Sequence, residues 1–410
     1  MHLFLFLHME NENMKYLVIL YLSVFVLLFG SCHKDDDFIN EKVSRTVLVY
    51  IAADNTLRNF SAADVEEMIE GMSEVDSRYY NLIYYIDNGI SPKLVKLETD
   101  EKKQVTQKVL MTYTQRNSVG INEMKEICSY VFSRFPADSY GMVFWSHGEG
   151  WIPSLNPATR WVGQDISNGT KELNIMDFHR VLQESVPHLD FLLFDACFMQ
   201  SVEVAYELRD CADYFIGSPT EIPGVGAPYQ KIVPAMFEIQ NPEQKIAKAY
   251  YEYYADPSLY TGTLSRWWKA TDPWTAGVSI SVIKSETLGE LANVTNQILP
   301  QYIQNKSVIP ISKIMCYDKR STAYYYDFDN LMKSLPLIES EYDYWKKAFD
   351  AVVVYWKTTD KNYSNDRGSF SMVGSSGLSS YIPTLFNTSL NDSFHSMQWY
   401  SVAGWSKTGW

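Results

Sequence analysis

Cysteine is scarce in this sequence: five in 410 residues, with no C-x-x-C pair. That excludes a disulfide framework and a paired-cysteine zinc module. Positive charge is also short, with 35 Lys and Arg against 49 Asp and Glu for a net charge of -14. No basic run exceeds Lys102-Lys103, so nothing tracks a phosphate backbone and nucleic acid is not an expected partner. H-E-x-x-H, Walker A and G-x-S-x-G motifs are missing. Gly224-Val-Gly226 runs into Ala227-Pro228, which fails the dinucleotide pattern.

What is present describes a globular chain. Hydrophobic residues make up 46% and charged residues 20%, a balance that excludes disorder. The aromatic share is high, with runs such as Tyr250-Tyr251-Glu252-Tyr253-Tyr254 and Tyr324-Tyr325-Tyr326. Both runs sit in core-forming elements, so packing is the expected role, ahead of a sugar-stacking surface.

The amino terminus reads as an address. Tyr16 to Phe29 is apolar except for Ser23, with Lys15 before it and Gly30-Ser31-Cys32 after it. Fourteen residues fall short of the ~20 that span a bilayer, and the flanks suit a secretory signal. Cys32 after Phe-Gly-Ser resembles a lipobox, which implies an acylated Cys32 at the mature terminus. Lys34 and the three Asp after it resemble an outer-membrane export tag. Met14 is an alternative start to Met1.

Farther on, Thr46 to Ala53 is a continuous apolar run, as in strands buried on both faces. Strands are expected at Asn81–Ile86, Gly141–Trp145, Phe191–Phe194 and Tyr214–Ile216, with an edge hairpin over Lys93–Leu97 and Lys108–Thr112. Helices are expected over Ser61–Met72, Ile121–Phe135, Ile175–Glu184 and Val202–Leu208. Alternation at this spacing predicts a doubly wound, mostly parallel α/β sheet with helices on both faces. Beyond residue 240, helices at Gln244–Tyr254, Glu286–Leu299 and Tyr342–Trp356 mix with strands at Gly277–Ile283 and Leu378–Ile382. The expected organisation is a signal peptide over 1-31, a tether over 32-44, a catalytic domain over 45-240 and a mixed α/β region over 241-410 packed on it.

Ligands in such sheets bind outside the carboxyl ends of the strands. Two of those ends carry reactive side chains, His147-Gly148 after one strand and Asp195-Ala196-Cys197 after another. A thiol at a strand end before a helix can act as nucleophile, with a histidine moving its proton. Gly148 can offer its N–H to an oxyanion. Each feature alone has a plainer reading, a buried thiol and a turn. His179 and His188 flank a helix end with neither Cys nor paired acids nearby in sequence, so they read as surface residues. His395 has no supporting neighbour, and no metal is expected.

These residues resemble the clostripain family of cysteine peptidases, which share a fold with caspases, gingipains and legumain. The match runs through Ala52-Ala-Asp-Asn55, His147-Gly148, Asp195-Ala-Cys197, Ile216-Gly-Ser218, Glu221-Ile-Pro-Gly224 and Asp327-Phe328 to the aromatic carboxyl terminus. It departs at Thr220 and Ala227, where relatives often carry an acid and a Trp. The resemblance implies a His147/Cys197 dyad, with the backbone N–H groups of Gly148 and Cys197 as the oxyanion hole. It implies cleavage of peptides after Arg or Lys, with Asp195, Glu221 or Asp54 receiving the cation and Asp195 first. It also implies catalysis without a cofactor, admits calcium, and suggests self-cleavage after Arg160 on the loop following His147. The expected protein is an endopeptidase acting on proteins or peptides, held to the membrane by its lipid and facing periplasm or cell surface. The alternative is a surface-binding lipoprotein on a peptidase scaffold.

Overall fold

A computed structural model describes residues 43–152, 162–167, 169–256, 277–307, 309–320, 323–364 and 366–410. The Tyr16–Phe29 run, Cys32 and Arg160 lie outside them. Nine strands form one sheet: β1 (Arg45–Ala52), β2 (Tyr80–Asp87), β3 (Lys93–Thr99), β4 (Val105–Thr112), β5 (Ser139–Trp145), β8 (Leu189–Asp195), β9 (Ala212–Gly217), β10 (Ser279–Lys284) and β12 (Val353–Thr358). Their order is β12-β10-β9-β8-β5-β1-β2-β3-β4. The five central strands, β9 to β2, are parallel, while the β3–β4 hairpin and β10–β12 add antiparallel edges. Short two-stranded antiparallel pairs fill the remainder: β6 (Gly163–Asp165) with β7 (Lys171–Leu173), β11 (Tyr326–Asp327) with β15 (Ser379–Ser380), and β13 (Lys361–Ser364) with β14 (Gly368–Ser371).

The apolar runs split cleanly between two cores because successive side chains in a strand point to opposite faces. On β1, Leu48, Tyr50 and Ala52 enter one core, and Val47, Val49 and Ile51 the other, joined by Ala53 just past the strand. Helices Ile121–Arg134 and Ile175–Ser185 close the first face; Arg58–Met72, Tyr229–Met236 and Pro242–Ala255 close the second. Tyr250, Tyr253, Tyr254 and Tyr325 are buried among them, as their packing role requires. Strands β10 and β12, from beyond residue 240, complete the sheet that β1 begins.

Two expectations change. Tyr342–Trp356 divides into a helix, Glu339–Val352, and strand β12. Val353, Val354, Tyr355 and Trp356 are β-branched or aromatic, and β10 supplies backbone partners that a continuing helix would forgo. Leu378–Ile382 yields only the two-residue β15. Among the described residues no helix is long and apolar enough to cross a membrane.

Candidate active site

Register brings the two reactive segments together. In the parallel β5–β8 pair, Trp145 stands opposite Asp195, so the residues two farther on, His147 and Cys197, leave neighbouring strands at the same level. The Ser146 N–H donates to the Asp195 carbonyl at 3.4 Å. Gly148 is packed so closely that a Cβ there would lie 2.6 Å from the Cys197 carbonyl oxygen and 2.9 Å from the Ala196 Cβ. A side chain at 148 would push the two strand ends apart. His147, Gly148, Glu149, Asp195, Cys197, Phe198, Glu221 and Arg320 line one cleft of about 370 Å³.

The chain turns sharply after β8. Phe198 takes a left-handed backbone (φ 59°), which costs a non-glycine residue about 1–2 kcal/mol. The turn is held in place by the Phe198 N–H to the Thr220 carbonyl, 3.1 Å, and the Gln200 N–H to the Ser218 carbonyl, 3.1 Å. The Phe198 ring stacks on Tyr325, and the Arg320 guanidinium lies 4.7 Å from its centroid. Extended geometry therefore ends at Asp195. Cys197 packs against the core that holds Phe194 and Ala196, whereas Asp195 bonds to Ala227, Tyr229 and Tyr250 of the other, yet both residues still line the cleft.

Electrostatics gives the two dyad candidates a neutral resting state. Burial pushes the half-buried Cys197 thiol up to about 12, against a smaller opposing effect of the Ile222 N–H, which points at Sγ from 3.4 Å. The following helix begins only at Val202, capped by Ser201, so it does not supply the thiol's activation. Burial lowers the basicity of His147, favouring neutral imidazole. Thr56 Oγ1 sits 2.7 Å from His147 Nε2. No sequence motif marks Thr56; it lies just past the Asp54-Asn55 turn at the end of β1. Thr56→Val is expected to cost about 1 kcal/mol, roughly fivefold in kcat with KM little changed, by freeing the ring to rotate. Steady-state kinetics on a peptide substrate check this, with Thr56→Ser expected to restore the rate.

Asp195 is buried at the cleft floor, where it accepts from the Ala227 N–H at 3.1 Å and the Tyr229 hydroxyl at 3.0 Å. Burial raises its carboxyl to about 6, and these donors limit the rise. Gly226 (φ +66°) passes so near that a Cβ would lie 2.8 Å from Asp195 Oδ2. Behind it, burial raises Glu67 to about 8 and pushes Asp64 well above the ordinary carboxylate range, which disfavours a second negative charge beside Asp195. Glu221 also lines the cleft and accepts from Ser364 Oγ at 3.2 Å. Asp54 is engaged elsewhere, by Arg58 and Gln115, and is withdrawn as a cation receptor.

Sequence reasoning missed a charged wall. Arg320 pairs with Glu149 and, through Nε at 2.8 Å and a terminal nitrogen at 2.7 Å, with Asp318. The three residues span 171 positions, which no local pattern could join. The departures are also explained: Thr220 is buried with its hydroxyl on the Tyr317 carbonyl, and Ala227 supplies the N–H that holds Asp195.

Comparison with known proteins decides the family. Residues 49–410 match the model of the Clostripain family. This chain belongs to the clostripain family. The membership, with the solved relatives, makes it a cysteine peptidase with the caspase-like α/β architecture. A secreted C11 cysteine protease from Bacteroides thetaiotaomicron, solved with an irreversible peptide inhibitor, is 46% identical (TM-score 0.80), covering 88% of this chain and 99% of that one. An inactive zymogen C11 protease from Parabacteroides distasonis is 32% identical (TM-score 0.73), covering 88% and 98%. Clostripain of Hathewaya histolytica is 30% identical over 226 residues, 47% of this chain; the match spans 42% of that relative's length.

The two histidines, one on helix Ile175–Ser185 and one just past it, lie at the surface with partners that the sequence did not show. His179 meets Asp210 and Cys211, and His188 meets Asp213. Sequence distance hid these partners, because helix Ile175–Ser185 and the start of β9 meet only in the fold. Among the described residues the one group of three converging His, Cys and acidic donors includes thiol and imidazole, which suit softer ions than calcium.

Proposed function

We propose that the chain is a lipid-anchored endopeptidase cleaving after Arg, or less readily Lys, through His147 and Cys197. The β5–β8 register, which delivers both side chains to one acidic cleft, carries this reading. Neutral His147 takes the Cys197 proton as the sulfur attacks the scissile carbonyl, so the thiolate forms only in the reaction. The Gly148 and Cys197 N–H groups, which make no hydrogen bond to another described residue, receive the oxyanion. Imidazolium then protonates the leaving amine. Water, deprotonated by His147, releases the acyl group from sulfur. Asp195 pairs with the guanidinium and Glu221 supports it from the wall. The inhibitor-bound relative supports peptides as the substrate class.

Acylation at Cys32, with residues to 44 as tether, places the enzyme at the outer membrane, facing periplasm or cell surface. Arg160, in the sequence following His147, is the proposed self-cleavage point.

An arginyl peptide carrying an electrophilic ketone tests the proposal. Mass spectrometry is expected to find one equivalent on Cys197, with a neutral probe reacting far more slowly. His147 as base and Asp195 as counter-charge both act deprotonated, so labelling is retained at higher pH. It declines as pH falls below the ordinary histidine value of 6.5. The arginyl probe shows a further loss near about 6, as Asp195 is protonated, that the neutral probe does not. Absence of Cys197 adduct at neutral pH would leave the binding-lipoprotein reading.

A further inference from the structure

A second cluster of reactive side chains lies at the other end of the sheet. Asp210 and Cys211 immediately precede β9, and His188 immediately precedes β8. These are the amino ends of strands whose carboxyl side holds the cleft, so about 20 Å of strand separates the two places. His179 reaches the cluster from helix Ile175–Ser185.

The donor atoms converge. His179 Nε2 is 2.8 Å from Asp210 Oδ1. Cys211 Sγ is 3.8 Å from the same oxygen. All three donor atoms lie within 4.8 Å of one another. Gln183, one turn beyond His179, donates to Asp210 Oδ2 at 2.7 Å, which turns Oδ1 towards His179. His188 reaches the Asp210 carbonyl at 3.3 Å through Nδ1 and Asp213 at 2.8 Å through Nε2, steadying the backbone that carries Asp210 and Cys211. Cys211 is buried while half of the Asp210 side chain is open to solvent, which gives an ion a way in.

We propose that His179, Asp210 and Cys211 bind one zinc-type divalent ion, with water as fourth ligand. Tetrahedral zinc, with bonds of ~2.0–2.3 Å, sets its ligands ~3.3–3.8 Å apart. The sulfur–oxygen spacing already fits, and the histidine–carboxylate contact opens by about half an ångström. Imidazole and thiolate donors favour zinc, cobalt or copper over magnesium and calcium. As the sulfur–metal bond forms, the thiol proton passes to solvent. The ion ties helix Ile175–Ser185 to the start of β9 and takes no part in hydrolysis. Gln183 and His188 serve as the outer shell that orients the ligands.

Cobalt and zinc titrations of the Cys197→Ala protein test this, since that change removes the thiol of the cleft, the competing place for a soft metal. One cobalt equivalent is expected to give a thiolate-to-metal charge-transfer band. Zinc should abolish the band and raise the unfolding temperature by mass action. Cys211→Ser in that background should lose the band, and His179→Ala should weaken zinc by at least about tenfold. His179 is a surface helix position, so its variant serves if Cys211→Ser fails to fold. A band that survives Cys211→Ser, zinc affinity unchanged in His179→Ala, or affinity lost only with His147→Ala overturns the proposal.

Discussion

Cys197→Ala is expected to lower peptide hydrolysis by at least about 10⁴-fold, as removal of a covalent nucleophile does. The fold should survive with a loss of no more than about 2 kcal/mol. The turn around residue 197 is held by the Phe198–Thr220 and Gln200–Ser218 hydrogen bonds, neither of which uses the sulfur. Initial rates on an arginyl peptide, beside a thermal unfolding curve, separate the two effects. Wild-type protein should also split between Arg160 and Trp161 while the variant remains whole. Wild-type rates in the variant would remove Cys197 as nucleophile. An active wild-type enzyme that remains one chain would remove Arg160 and leave the dyad standing.

Asp195→Asn should cost about 2 kcal/mol or more on arginyl substrates, roughly 30-fold in kcat/KM, because a desolvated guanidinium loses its counter-charge. The variant also loses stability. Asp195 accepts from Ala227, Tyr229 and Tyr250, and an amide turns an NH₂ towards at least one of these donors, at about 1–3 kcal/mol. A fall in unfolding temperature is therefore expected whatever the substrate. The discriminating quantity is the ratio of arginyl to neutral-substrate efficiency. Equal losses on both would make Asp195 structural and move the cation to Glu221.

Much of this architecture is legible in the residues. Thr46–Ala53 and Phe191–Phe194 read as strands because unbroken apolar runs must be buried on both faces. The β3–β4 hairpin reads as two short segments, Lys93–Leu97 and Lys108–Thr112, at the sheet edge. Strand β12 was hidden, since Trp345, Phe349 and Val352 keep helical spacing up to its first residue and only β10 decides where the helix yields. His147 and Cys197 stood out by their place at strand ends, fifty residues apart. Thr56, Glu149, Asp318 and Arg320 did not, because each is an ordinary polar residue until the fold supplies its partner.

By itself the sequence determined which segments form the parallel centre of the sheet, which strand ends carry a histidine and a thiol, and the family to which they are similar. Those properties are local: hydrophobic period, turn residues and short motifs act over a few positions of chain. Tertiary structure alone decided that Trp145 faces Asp195, that burial raises Asp64 and Glu67 behind it, and that His179 lies beside Asp210 and Cys211. Strand register, burial and through-space electrostatics depend on atoms far apart in the chain, and they take a value only once packing has fixed the distances and removed the water.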